Sequence, residues 1–191
     1  MNIWHDMNPN RIKCDDFVAI IEIEKGGKCK YELDKETGIL ILDRILYTST
    51  HYPANYGFIP RTYADDLDPL DVLVLCSRPL HPMTSVRCYP IGVITMIDNG
   101  RYDEKIIAIP FHDPTYNTYR EITDLPAHIF QEMTHFFKCT KNLRTNKLPL
   151  TKCLVQTPLK KSFNRQSTIT KKVMENNKKG HPLFVGGFFN L

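Results

Sequence analysis

The sequence lacks long apolar runs and closely spaced cysteines. No stretch approaches the roughly 20 apolar residues that span a bilayer. Residues 1–10 have neither the apolar core nor the basic flank of a secretory signal. The six cysteines are scattered, without a C-x-x-C pair. We therefore interpret them as reduced thiols and predict a cytoplasmic protein without a membrane partner.

Charge is unevenly distributed along the chain, which at 191 residues is long enough for one buried core. Residues 139–191 carry eleven basic side chains and one acidic side chain, a net charge of +10, although the whole chain carries only +4. Residues 1–138 therefore carry −6. An acidic body with a basic tail is compatible with an enzyme that has a nucleic-acid-binding tail, or with a binding module.

Short β-strands separated by turns are predicted over the first two thirds of the chain. Phe17 to Ile23 is rich in β-branched residues, and residues 30–33 and 39–42 predict a hairpin with Gly38 at the position that needs a positive φ. Further strands are predicted at 72–75, 88–96 and 105–109, with a turn at Asp98-Asn99-Gly100. This pattern is typical of a small closed or partly open barrel.

One helix is predicted after residue 124. Asp124 is placed to cap it, and Pro126 falls in its first turn. Apolar residues then recur at helical spacing and form one stripe. The stripe consists of Ile129, Phe130, Met133, Phe136 and Phe137. We therefore predict a mainly β chain of the α+β class, with this helix packed on the barrel.

Three carboxylates stand within six residues, at Asp66, Asp68 and Asp71. Like charges this close repel one another, and a fold tolerates them most easily when cations neutralise them. Hard oxygen ligands suit Mg²⁺, Mn²⁺ or Ca²⁺. A solvated acidic loop, or a set of turn caps, explains three such residues equally well. An EF-hand is excluded, because Asp71 stands where that loop needs Gly and Ser77 stands where it needs Glu.

Other charged residues can complete a site around this cluster. Taken singly, each is an ordinary surface charge. Together they combine acidic metal ligands with basic phosphate binders, the mixture that phosphoryl transfer needs. These residues are Glu22, Lys30, Glu32, Arg44, Asp98, Asp103 and Lys105.

The stretches that carry these residues resemble family I soluble inorganic pyrophosphatase of the bacterial type. Eight blocks occur in family order and spacing across about residues 15–138, which makes the resemblance specific. They are Ile21-Glu22-Ile23, Lys30-Tyr31-Glu32-Leu33-Asp34-Lys35, Asp43-Arg44, Tyr52-Pro53-Ala54-Asn55-Tyr56-Gly57, Asp66 to Asp71, Ile91-Gly92-Val93 with Asp98, Asp103-Glu104-Lys105, and His135-Phe136-Phe137.

The resemblance implies a five-stranded barrel of the oligonucleotide-binding (OB) type and hydrolysis of pyrophosphate to two phosphates with Mg²⁺. It implies that Asp68 is the general base and that Tyr56 also belongs to the catalytic centre. It implies a homo-hexamer as well, although the altered C-terminus weakens that expectation. The implied metal ligands are Asp66, Asp71, Asp103, Asp98 and Glu22; the implied phosphate binders are Lys30, Arg44, Tyr56, Lys105 and Lys141; and Glu32 is expected next to metal-bound water.

The resemblance ends at Lys138. The family pattern continues with Tyr-Lys, and its Tyr hydroxyl contacts a phosphate, whereas this chain has Thr140 followed by Lys141. Restoring one base after the Lys138 codon permits Val-Tyr-Lys-Lys-Leu-Glu-Asp-Lys and then an acidic stretch and a helix. We therefore hypothesise a barrel domain at 1–138 and a poorly ordered tail at 139–191 that is read out of frame.

Three alternatives follow from that tail. The tail is a genuine lineage-specific segment that binds nucleic acid or polyphosphate, the chain is a catalytically impaired pyrophosphatase remnant, or it is an OB-type binding module with a basic tail. The tail lacks the interleaved aromatic residues of a single-strand binder, so no nucleic-acid partner is expected. The gene sequence around codon 139 tests the frame hypothesis.

Overall fold

A computed structural model describes residues 2–64, 68–98, 101–142 and 154–156 of the chain. For residues 97–98, 101–102, 141–142 and 154–156 it describes the backbone only. Asp66 and most of the predicted tail therefore lie outside the described residues. The strands are β1 (Phe17–Ile23), β2 (Cys29–Leu33), β3 (Leu40–Ile45), β4 (Asn55–Ile59), β5 (Leu70–Val74), β6 (Ser85–Asp98), β7 (Arg101–Pro110) and β8 (Leu154–Gln156), and the α-helix is α1 (Ala127–Asn142).

Five of the strands close into a ring. They are hydrogen-bonded in the order β1-β4-β5-β7-β6, and β6 pairs back with β1. The β5–β7 pair is parallel, whereas the other pairs around the ring are antiparallel. Strand β8 pairs with β6, and β2 and β3 form a separate hairpin. The ring confirms the predicted five-stranded barrel of the OB type.

The helix α1 packs on this barrel through the predicted apolar stripe. Met133, Phe136 and Phe137 are buried, and they belong to the same apolar cluster as Leu73 and Ile107 of the barrel. Burial of such side chains stabilises the fold by about 1.5–3 kcal/mol each. Among the described residues, no helix is long and apolar enough to cross a membrane.

The predicted start of the helix was wrong. The carboxylate of Asp124 accepts hydrogen bonds from the backbone N–H groups of Arg120 and Glu121, both at 2.9 Å, and thereby closes a 3-10 turn at Ile122–Asp124. The helix α1 begins only at Ala127. Asp124 therefore caps the turn before the helix, a distinction that its sequence position does not reveal.

Three charged residues expected in loops or beyond a strand lie within strands. Arg44 belongs to β3, Asp71 to β5 and Asp103 to β7. The predicted strands were too short at these ends, because a charged residue next to an apolar run reads as a boundary. Asp98 is the last residue of β6, and the other two residues of its predicted turn lie outside the described residues.

Strand β4 was not predicted, because Asn55 and Gly57 are residue types that strands disfavour. The structure explains the glycine. A Cβ atom at position 57 would lie 1.9 Å from the carbonyl oxygen of Ile20 on the paired strand β1. Only glycine allows the two strands to approach this closely, so its presence fixes β4 in the barrel.

Candidate active site

A cleft of about 300 Å³ opens between the barrel, the β2–β3 hairpin, the N-terminal residues and α1. Its lining contains nine of the twelve predicted site residues. These nine are Glu22, Lys30, Glu32, Arg44, Tyr56, Asp68, Asp71, Asp103 and Lys105. The side chains of the other three, Asp66, Asp98 and Lys141, lie outside the described residues. The chain thus brings the described candidates together, while their individual roles stay predictions.

Lys105 is the most buried charged residue of the cleft, with 5% of its surface exposed. Its Nζ donates to Asp71 Oδ2 at 2.6 Å, to Asp103 Oδ1 at 2.9 Å and to the Tyr56 hydroxyl at 3.1 Å. The fold explains this arrangement, because Asp71 on β5 pairs with Lys105 on β7, and Asp103 lies two residues earlier on the same face of β7. We call Asp71, Asp103 and Lys105 the sheet wall.

Electrostatics keeps Lys105 charged. Burial alone would lower the pKa of its ammonium, but the carboxylates of Asp71 and Asp103 outweigh that effect and raise it. The rings of Tyr56 and Phe137 contribute further, with centroids 5.5 and 5.3 Å from the Lys105 Nζ. An ammonium has three N–H donors, and all three are used here. The position of this cation is therefore tightly defined.

The tyrosine hydroxyls of the cleft stay protonated. Burial raises the pKa of the Tyr56 hydroxyl well above its usual value, and the nearby Asp71 carboxylate adds to this. Burial also raises the pKa of Tyr52, whose ring lies 5.4 Å from that of Tyr56 and 4.7 Å from that of Phe136. This aromatic side of the cleft excludes water while it offers hydroxyl donors. The sequence reasoning assigned no role to Tyr52.

Glu22 on β1 is a buried carboxyl group that accepts a hydrogen bond from the Leu33 backbone N–H at 2.8 Å. Its pKa is raised to about 8, mainly by burial and also by the carboxylates of Asp71 and Asp68, while the hydrogen bond from Leu33 and the charge of Lys30 oppose the shift. A buried carboxyl group that retains its proton at neutral pH, with other carboxylates nearby, marks a place where added positive charge is favourable.

The oxygen donors in the cleft fit a hard divalent cation. Glu22, Asp68, Asp71 and Asp103 all line it, and the carboxylates of Asp71 and Asp68 contribute to the raised pKa of Glu22. Among the described residues, no three His, Cys, Asp or Glu side chains form a ready metal-ligand group. Asp66 lies outside the described residues. The donor chemistry is thus suitable, and a complete ligand set is not seen in the described part of the chain.

The hairpin carries a second group of charges, which we call the hairpin wall. Lys30 pairs with Glu32, and its Nζ lies 3.0 Å from Asp43 Oδ2; Arg44 also pairs with Asp43. Lys30 and Glu32 share one face of β2, as predicted, even though the β2–β3 register shifts between Lys30 and Tyr31. Asp43 was not predicted as a site residue. It does not line the cleft, but it pairs with two cations that do.

Lys35 and Trp4 are further residues of the cleft that the sequence reasoning did not assign. Lys35 forms an ion pair with Asp68, and its Nζ lies 5.5 Å from the centroid of the Trp4 ring. Lys35 is 33 positions from Asp68 and 31 positions from Trp4, so no local pattern could have indicated these contacts. Only the turn at Asp34 to Gly38, which holds Lys35 at the end of the hairpin, was visible in the sequence.

Thr140 also lines the cleft, from α1. Its hydroxyl donates to the backbone carbonyl of Phe136 at 3.0 Å, as a threonine inside a helix commonly does. The hydroxyl is therefore engaged within the helix. This agrees with the expectation that Thr140 does not replace a phenol that reaches a phosphate.

The chain is similar to known proteins in both sequence and fold. A family model described as inorganic pyrophosphatase matches residues 19–166. Soluble inorganic pyrophosphatase 2 of Chlamydomonas reinhardtii is 48% identical over 135 residues, which are 71% of this chain and 70% of that protein. Soluble inorganic pyrophosphatase PPA1 of Solanum tuberosum is 50% identical over 135 residues, 71% of this chain and 64% of that protein. The crystal structure of inorganic pyrophosphatase from Thermus thermophilus aligns with a TM-score of 0.71 and 35% identity, over 81% of this chain and 88% of that one.

Proposed function

The chain belongs to the inorganic pyrophosphatase family, and we propose that its cleft hydrolyses inorganic pyrophosphate to two phosphates with metal-activated water. The observation that carries this proposal is the convergence of two complementary sets of charges in one cleft. Carboxylates such as Asp68 and Asp71 match divalent cations, and cations such as Lys30 and Arg44 match phosphate oxygens. Neither set alone would suit a pyrophosphate anion with its counter-ions.

The acidic side of the cleft is the proposed metal site. Asp71, Asp103 and Glu22 would hold Mg²⁺ together with Asp66 and Asp98, the two ligands implied by the family resemblance. When bound, Mg²⁺ supplies a water of lowered pKa and neutralises phosphate oxygens. The choice of Mg²⁺ is supported by the all-oxygen donor set.

Asp68 is the proposed general base. Its side chain is half exposed at the mouth of the cleft, where a water can reach its carboxylate and lose a proton to it. The Tyr56 hydroxyl stays protonated and lies beside the charged Lys105 ammonium, so a hydroxyl hydrogen and a positive charge lie on the same side of the cleft. They are placed to stabilise the charge of the departing phosphate.

The hairpin wall is the proposed phosphate-binding face. Lys30 and Arg44 each pair with Asp43, so a phosphate oxygen can exchange with a carboxylate without leaving either cation unpaired. Glu32 pairs with Lys30 and keeps that ammonium near the cleft. By the family resemblance, Glu32 would also lie next to metal-bound water. Lys141, one helical residue beyond Thr140, is proposed as a phosphate binder from the family resemblance alone.

A phosphate-release assay with pyrophosphate and Mg²⁺ tests the proposal. A general base contributes about 10²–10⁴-fold, so Asp68→Asn is expected to lower turnover by at least about 100-fold. Asp16→Asn is the matched control, because Asp16 lies outside the cleft lining in an ion pair with Arg87. Unchanged turnover in Asp68→Asn refutes the mechanism. An inactive parent chain favours the impaired-remnant alternative.

Three further predictions depend on the same family resemblance. The relatives are named soluble pyrophosphatases, which supports a cytoplasmic location for this chain. The hexamer stays a prediction, which light scattering of the purified chain tests. The boundary at residue 139 and the out-of-frame tail also stay proposals, and sequencing the gene tests both. The alternative of a nucleic-acid-binding module is not favoured, because the matched relatives are named as pyrophosphatases.

A further inference from the structure

Trp4, although close to the N-terminus, is anchored at several points. Only 4% of its surface is exposed. Its indole Nε1 donates to the Thr62 carbonyl at 3.0 Å, and its own carbonyl accepts from the Arg61 N–H at 2.8 Å. Asn2 Oδ1 accepts from the N–H groups of Trp4 and His5, both at 3.0 Å. The N-terminal segment, residues 2–12, is thereby fixed to the chain just beyond β4.

Arg61 holds this segment at some conformational expense. Its φ of 60° lies in the left-handed region, which is uncommon for a residue other than glycine. Its Nη1 donates to the carbonyls of His5 and Met7 at 2.5 and 3.2 Å. A strained backbone persists only where the surrounding contacts over-determine it, and strain of this kind clusters at functional sites. The attachment of the N-terminal segment is therefore specific.

Trp4 binds the base of the loop that carries Asp68. The Thr62 hydroxyl donates to the Ile59 carbonyl at 2.6 Å and accepts from the Leu70 N–H at 2.8 Å, so Thr62 connects the two strands on either side of that loop. The Ala64 N–H donates to the Asp68 carbonyl at 2.8 Å. Because Trp4 bonds to Thr62, its indole ring is held at a fixed place relative to Asp68.

Trp4 also contacts the end of the hairpin. Lys35 lies with its Nζ 5.5 Å from the indole centroid and pairs with Asp68. The turn that carries Lys35 is closed by Asp34, which accepts from the N–H groups of Glu36 and Gly38. The Trp4 ring therefore contacts Lys35 on the hairpin. Through its indole N–H, Trp4 also bonds to Thr62 at the base of the loop that carries Asp68, the partner of Lys35.

The exposure of Lys35 and Asp68 shows why the ring is needed. Both side chains are 53% exposed, and an ion pair between such groups holds its partners only weakly, since water and salt compete with it. The attraction of the Lys35 ammonium to the indole face, worth about 0.5–1 kcal/mol at an exposed site, adds a second contact that holds this side chain in place. Trp4 thus limits where the Lys35 ammonium can lie, and the ion pair with Lys35 in turn limits the orientation of the Asp68 carboxylate.

We propose that Lys35 and Trp4 are positioning residues for Asp68, so that the N-terminal segment belongs to the catalytic machinery. They direct the Asp68 carboxylate toward the attacking water without contacting pyrophosphate. The inference rests on the proposed function, in which Asp68 accepts the proton. It assigns a role to two residues that lie outside the acidic cluster and the phosphate-binding cations.

Kinetics of Lys35→Met at saturating Mg²⁺ tests the proposal. We expect kcat to fall about five- to ten-fold while KM stays within two-fold, because only the orientation of the base changes. Lys35→Arg restores at least half of kcat, since a guanidinium can still pair with Asp68 over the ring. An unchanged kcat overturns the proposal. A raised KM with intact kcat also overturns it, because Lys35 would then bind substrate.

Arg87 offers a matched control in the same chain. It is a cation with a 58% exposed side chain that pairs with Asp16 and lies over the ring of Phe111 at 4.7 Å, outside the cleft lining. Arg87→Met is expected to leave kcat unchanged. An equal loss of kcat in Arg87→Met and Lys35→Met would reduce the role of Lys35 to general stability and overturn the proposal.

Two further measurements separate this inference from the proposed function. In an Asp68→Asn background, adding Lys35→Met should change turnover less than two-fold, because the group to be positioned is gone. If Asp68→Asn alone leaves turnover intact, the proposed function fails; if it abolishes turnover and Lys35→Met is harmless, only this inference fails. Trp4 is the single tryptophan of the chain, so Lys35→Met should also alter its fluorescence at an unchanged melting temperature. Identical fluorescence spectra would contradict the contact.

Discussion

The sheet wall and the hairpin wall face the same cleft with the same residue types but bury them to different extents. In the sheet wall, the Lys105 ammonium is enclosed by two carboxylates and a phenol. In the hairpin wall, the side chains of Lys30 and Glu32 are 18% and 51% exposed, against 7% for Lys105, and Asp43 is shared by Lys30 and Arg44. The hairpin wall comprises Lys30, Glu32, Asp43 and Arg44.

This difference separates two tasks. A buried ion pair must keep all its partners, because removal of one leaves an uncompensated charge in a region of low dielectric constant. An exposed pair contributes about 0–1 kcal/mol and is easily exchanged. In the proposed function, the sheet wall therefore fixes the geometry of the site, whereas the hairpin wall exchanges a carboxylate for a phosphate at small cost. Substitutions of matched chemistry on the two walls should reveal this difference.

The largest effect is expected for Lys105→Met. Its removal leaves Asp71 and Asp103 without their buried cation, and the loss of one partner from a buried pair destabilises by about 3–5 kcal/mol. Urea unfolding in a buffer without divalent cations measures this loss. Lys30→Met on the hairpin wall is the control, with an expected loss below about 1 kcal/mol. Equal losses for the two variants would remove the distinction between the walls.

A smaller effect is expected from the pH dependence of Glu22, a buried residue that lines the same cleft. Its pKa is raised to about 8 in the folded chain, from a usual value of 4.5, mainly by burial. Between these values the folded state retains a proton that the unfolded chain has released. The free energy of unfolding therefore falls as pH rises through this window, by up to about 1.4 kcal/mol per pH unit.

Glu22→Gln removes that titration. Chemical unfolding of wild type and Glu22→Gln between pH 5 and 8, with a chelator present, measures the difference between them. The stability of wild type should decline with pH relative to the variant. Parallel curves would show that Glu22 is as well hydrated as the hairpin carboxylates. Glu22 could then not be grouped with the buried charges of the sheet wall.

The sequence predicted regular elements well where local pattern decides structure. The β-branched run Phe17 to Ile23 matches β1 to the residue, and the stripe of α1 is buried as expected. Prediction failed where a residue serves the site. Asp71 and Asp103 lie at strand ends that their charge made look like loops, and Gly57 hid β4 because its role is to permit a close contact with Ile20.

The same limit applies to the site. Its charged members could be collected from eight local blocks, because each block carries its own residue pattern. The contacts between them could not, since Lys35 meets Asp68 across 33 positions and Trp4 meets Thr62 across 58. Burial is also a property of the assembled fold. Nothing in the local sequence indicates that Lys105 is enclosed while Lys30 stays near solvent.

The smallest effect is expected for Glu32→Gln on the hairpin wall. Lys30 keeps Asp43 as a partner at 3.0 Å after this change, and Glu32 itself is mostly hydrated, so the free energy of unfolding should change by less than about 0.5 kcal/mol. Salt sharpens the comparison, because ions screen exposed pairs far more than buried ones. In urea unfolding at high ionic strength, the effect of Glu32→Gln should vanish while that of Lys105→Met persists. A loss above about 1 kcal/mol for Glu32→Gln would mean that the hairpin charges also hold a fixed geometry, and that phosphate binding there requires more than an exchange of anions.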